Sequence, residues 1–88
     1  MIFNIDELKK KIIYKSTYRG TKEMDALISS FTKQIINDLN GDELINLSNL
    51  LDIDDENLYK FNQGSSPTVD IEKNKVSKLF KEFKYNKE

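Results

Sequence analysis

The stretch Met24-Asp25-Ala26-Leu27-Ile28-Ser29-Ser30-Phe31-Thr32-Lys33-Gln34-Ile35-Ile36-Asn37-Asp38-Leu39 decides the fold class. Met24, Leu27, Ile28, Phe31, Ile35 and Leu39 recur at i, i+3, i+4 and i+7, which places them on one side of an α-helix. Ser29, Ser30, Lys33, Gln34 and Asn37 occupy the other side. Thr21 or Gly20 is positioned to cap the start, and Glu23 and Asp25 put negative charge in the first turn, where the macrodipole is positive. The helix should end near Leu39, because Asn40-Gly41 is a turn signal.

The same spacing continues on both sides. Upstream, Ile5, Leu8 and Ile12, with Ile13 beside them, predict a helix over about Ile5 to Lys15, and Ser16 to Gly20 reads as a turn. Downstream, Asn40 as N-cap places Glu43 at the third helical position, close to a capping box, ahead of Leu44, Leu47, Leu50 and Leu51. Asp52 to Asp55 interrupts, and a short helix then carries Leu58, Tyr59 and Phe61 up to Gly64, which suits a left-handed position at its end. Ser65-Ser66-Pro67 is a turn. A last helix, capped by Thr68 or Asp70, carries Ile71, Val76, Leu79, Phe80 and Phe83, with six lysines between Lys73 and Lys87. The expectation is an all-α, compact single-domain bundle of about five short helices. It spans residues 1–88, with 85–88 frayed.

Composition removes whole classes of function. The 88 residues contain no cysteine or histidine, so thiolate and imidazole chemistry and ordinary zinc sites are excluded. With 14 basic and 15 acidic residues the net charge is −1, which argues against nucleic-acid binding as the main task. No apolar run approaches the ~20 residues of a membrane span, and the start of the chain lacks the pattern of a signal peptide. The expected location is the cytoplasm, unless the chain is a mature form already processed. The acidic run Asp52-Ile53-Asp54-Asp55-Glu56 does not fit a calcium loop, because Asn57 and Gln63 fall where glycine and glutamate are needed. Helix capping accounts for it better.

One segment remains: Tyr18-Arg19-Gly20-Thr21-Lys22-Glu23-Met24-Asp25. Arg19 is the single arginine beside 13 lysines. A guanidinium grips carboxylates, phosphates or carbonyls through paired bonds that an ammonium does not reproduce. Gly20 allows a close approach or a positive φ, and Tyr18 lies in a turn where nothing obliges burial. From local chemistry alone, a partner-binding site and a lone surface charge are equally supported.

The sequence resembles a known family, the succinate dehydrogenase assembly factor 2 or FAD assembly (flavinylation) factors. Their signature Arg-Gly-x-x-Glu at the start of the second helix is matched by Arg19-Gly20-Thr21-Lys22-Glu23, followed by Met24 and Asp25. Lys11 to Tyr14 resembles the family's first helix, and Leu50 to Phe61 resembles its acidic stretch leading into a short aromatic helix. Tyr18, Thr21 and Phe61 depart from residues frequent in the family (basic, Met and Trp). The resemblance implies a non-enzymatic assembly factor. It would bind the flavoprotein subunit of succinate dehydrogenase, or of fumarate reductase, and promote covalent attachment of FAD to a histidine there. The implied contact residues are Arg19, Gly20, Glu23, Tyr18 and Asp25, with Arg19 bonding the client and Gly20 permitting its approach. FAD would belong to the client, with no cofactor or metal held stably by this chain, which would act as a monomer. The alternative is a helical interaction module of antitoxin type.

Overall fold

Residues 4–17 and 19–84 are described by a computed structural model. Five helices follow one another: α1 (Ile5–Thr17), α2 (Lys22–Ile35), α3 (Gly41–Leu50), α4 (Asp55–Asn62) and α5 (Lys75–Glu82). A 3-10 turn, Ile36–Asp38, extends α2. No strand occurs among the described residues, so the all-α expectation holds. The radius of gyration is 12.5 Å, against about 12 Å expected for a compact chain of this length.

The α2 stripe is the centre of the core. Met24, Leu27, Ile28, Phe31 and Ile35 are all buried. Leu44, Leu47, Leu50 and Leu51 from α3 and its end, Leu58 from α4, and Val76 and Phe80 from α5 close around them. Phe31 meets Phe80 at 5.0 Å between centroids and Phe83 at 5.4 Å edge-on. Such tilted pairs add about 0.5–1.5 kcal/mol to simple burial.

The caps explain where the helices begin. Thr21 accepts from the backbone N–H of Met24 and starts α2. Asn40 and Glu43 form the reciprocal box of α3, at 2.9 and 3.0 Å. Asp54 caps α4 through the Asn57 N–H. Gly64 ends the α4 region at φ +85°, a conformation that favours glycine.

Three boundaries and one face differ from expectation. α1 continues to Thr17, where Ser16 and Thr17 turn their hydroxyls back onto the carbonyls of Ile13 and Tyr14. Its inward face is Leu8, Ile12 and Ser16, while Ile5 and Ile13 are exposed. α2 stops at Ile35, and the tighter 3-10 turn carries the chain to Leu39. α5 begins at Lys75, not near Thr68 or Asp70. Asn57 captures the Thr68 N–H and hydroxyl at 2.7 and 3.0 Å, which fixes that residue against α4. Asn74 caps α5 instead, in a reciprocal pair with Ser77. The expected fraying of 85–88 falls outside the described residues.

Candidate functional site

The Arg19 side chain turns inward, while Gly20 beside it stays exposed. The Arg19 side chain is only 10% exposed. Its Nε donates to Asp55 Oδ1 at 2.7 Å. Nη1 donates to the carbonyls of Lys15 and Leu51, both at 3.0 Å, and Nη2 to that of Ile53 at 3.0 Å. Four of the five guanidinium N–H donors are therefore engaged within the chain. The carbonyls belong to the last turn of α1 and to the link between α3 and α4, and Asp55 is the first residue of α4. These are the regions where helix carbonyls lose their own partners. One planar cation thus ties three helix ends together.

Gly20 completes the same junction. Its N–H donates to Asp55 Oδ2 at 2.7 Å, so one carboxylate bridges Arg19 and the entry to α2. A Cβ at position 20 would lie 3.1 Å from that oxygen, tighter than ordinary van der Waals contact. The close approach expected of Gly20 is therefore taken by the chain's own Asp55. In the free chain, the Arg19 donors bond its own Asp55 carboxylate and backbone carbonyls. Beside this junction, Lys15 pairs with Asp52 at 2.7 Å and with the Ser48 hydroxyl at 2.9 Å.

The remaining motif residues have different fates. Glu23 is exposed in the first turn of α2. It borders a groove of about 390 Å³ together with Met24, Leu27, Tyr59, Asn62, Gln63 and Lys84. A second recess reaches from Glu23, Met24 and Tyr59 to Thr21, Asp55 and Glu56. Asp25 is half-buried and borders neither. Tyr18 falls outside the described residues. Tyr59 is 53% exposed, an aromatic surface next to the glutamate.

The sequence does not announce Asp55, which reads only as part of an acidic helix-capping run, or Tyr59, which reads only as one of the apolar positions of the short helix. Asp54 provides the cap, leaving its neighbour Asp55 for an arginine 36 positions away. No local spacing announces such a pair. The hydrogen bonds that Asp54 accepts from Asn57, first from its side chain and then from its N–H, hold the Asp54 carboxyl below the usual range. They favour the ionised form that capping needs. Among the described residues no cluster of metal-ligating side chains occurs. None of the described helices is long and apolar enough to cross a membrane.

Residues 10–84 match a family model described as flavinator of succinate dehydrogenase. The chain belongs to that family. Three relatives named mitochondrial succinate dehydrogenase assembly factor 2 are among the similar proteins. The one from Debaryomyces hansenii is 35% identical over 97% of this chain and 63% of its own length. The one from Saccharomyces cerevisiae (strain YJM789) is 34% identical over 96% and 54%. The Danio rerio relative is 28% identical over 96% and 54%. The chain thus spans about half to two-thirds of the length of the relatives it matches. No solved structure gives a significant match. In this flavinator-family chain, the motif divides into an internal Arg-Gly junction and an outward Glu.

Proposed function

We propose that this chain is an assembly factor that binds the flavoprotein subunit of succinate dehydrogenase, or of fumarate reductase, and promotes covalent attachment of FAD to it. Family membership across residues 10–84 is the observation that carries this reading. The contact surface is the rim of the α2–α4 groove. There Glu23 offers an exposed carboxylate, Tyr59 offers apolar area over the buried Met24, and Gln63 offers an amide. The aromatic side chain gives contact area, while the carboxylate sets orientation.

Arg19 and Gly20 act through position, not contact. By fixing the start of α2 against α4, they set the spacing between Glu23 and Tyr59. The bond-forming chemistry belongs to the client and its flavin, since this chain contains no histidine or cysteine. The reading places the chain in a bacterial cytoplasm as a monomer, whereas the relatives are named as mitochondrial.

The test is a pull-down with the flavoprotein subunit, with covalent flavin read by in-gel fluorescence. Wild type should bind the subunit and raise its fluorescence. Glu23→Ala should reduce both while leaving the melting curve unchanged. Undiminished binding and flavin in that variant would contradict the assignment.

A further inference from the structure

A second groove lies between α4 and α5. It encloses about 400 Å³ and is lined by Phe61, Lys73, Asn74, Ser77, Lys78 and Lys81. Phe61 stacks on Phe80 at 6.3 Å and 19°, and Phe80 is fully buried, so the ring is fixed to the core. Lys81 Nζ lies 5.8 Å from the Phe61 centroid, a cation over an aromatic face.

No acidic residue lines this groove. The ion pairs among the described residues involve Lys15, Arg19 and Lys75, and none involves Lys73, Lys78 or Lys81. Charge is segregated along the chain as well. Residues 20–72 contain eleven acids and three lysines, whereas residues 73–84 contain five lysines and Glu82 alone. The groove is therefore a positive rim around an apolar floor, on a protein whose net charge is −1.

We propose that this groove docks an acidic peptide segment carrying an apolar side chain. Carboxylates match the three ammonium groups, and the apolar side chain covers the Phe61 ring and the lysine methylenes. A nucleic-acid strand fits less well. Three cations neutralise few phosphates. Tyr59 and Phe61 are two positions apart on α4, about 200° around the helix axis. This groove therefore faces away from Glu23 and is independent of the proposed flavoprotein contact.

The test titrates the 15N-labelled full chain with a short peptide of Glu and Asp flanking one Leu-Phe pair. Amide shifts should be confined to Phe61, Lys73, Ser77, Lys78 and Lys81. Affinity should fall with rising salt and by about tenfold or more in Lys78→Glu/Lys81→Glu, with the circular dichroism spectrum unchanged. Several results would overturn the proposal. These are shifts centred on Glu23 and Tyr59, or no shifts; equal affinity in the double variant; and equal affinity for a peptide with Ser-Ser in place of Leu-Phe. Tighter binding of single-stranded DNA or phosphatidylserine vesicles than of the peptide would also overturn it. So would self-association that the double variant abolishes, because the groove would then be a contact between copies.

Discussion

Replacing Arg19 by lysine keeps the charge and removes the fork. The wild-type guanidinium makes four hydrogen bonds, one to Asp55 and three to carbonyls contributed by Lys15, Leu51 and Ile53. An ammonium on a lysine stem holds Asp55 or one carbonyl and abandons at least two of the others. A hydrogen bond to a charged group contributes about 1.5–3 kcal/mol net, and local relaxation recovers part of it. Arg19→Lys should therefore destabilise by about 2–4 kcal/mol. Arg19→Ala, which leaves Asp55 without its partner, should destabilise by about 3–5 kcal/mol. An 88-residue domain has about 4–13 kcal/mol in all, so either loss is a large fraction. Urea unfolding followed at 222 nm measures it, with the midpoint falling and the slope unchanged. A cycle with Asp55→Ala should show a coupling above about 1 kcal/mol. A loss below about 0.5 kcal/mol for Arg19→Lys would refute the reasoning, because it would make Arg19 a surface charge like any lysine.

Further outcomes follow from the same contacts. Gly20→Ala should destabilise by about 1 kcal/mol, since its Cβ crowds Asp55 Oδ2 at 3.1 Å; a neutral result in urea unfolding would contradict that crowding. Asn40→Ala removes half of the α3 capping box and should cost about 0.5–2 kcal/mol by the same measurement. The carboxyls of Asp54 and Glu43 are held below their usual range by hydrogen bonds, chiefly with Asn57 and Asn40. A folded-state pKa below the unfolded one means that their stabilisation is present above about pH 4.5. It is lost as pH falls through the folded values. Stability should decline on acidification below that point, and Asp54→Asn should flatten the decline.

Most of the fold was legible because helical periodicity and caps are local. The α2 stripe, the Asn40–Glu43 box and the left-handed Gly64 were all readable from spacing. The start of α5 was not. Thr68 looks like a cap in sequence, and only the distant Asn57 claims it for α4. The site was half legible for a similar reason. Composition singled out Arg19 as the residue whose fork matters, and it does grip a carboxylate and carbonyls. That these groups belong to the chain itself depends on a contact across 36 positions. Tyr59 sits at an apolar helix spacing, yet it projects beyond the rim of a small core.

The central claim is that the motif separates into a structural Arg-Gly junction and a contact at Glu23. Covalent flavin on the flavoprotein subunit, compared between Glu23→Ala and wild type at matched folded concentration, tests it most directly. The account predicts a marked loss of in-gel flavin fluorescence with an unaltered urea midpoint. Full fluorescence with Glu23→Ala, or a loss that merely tracks unfolding, would contradict it.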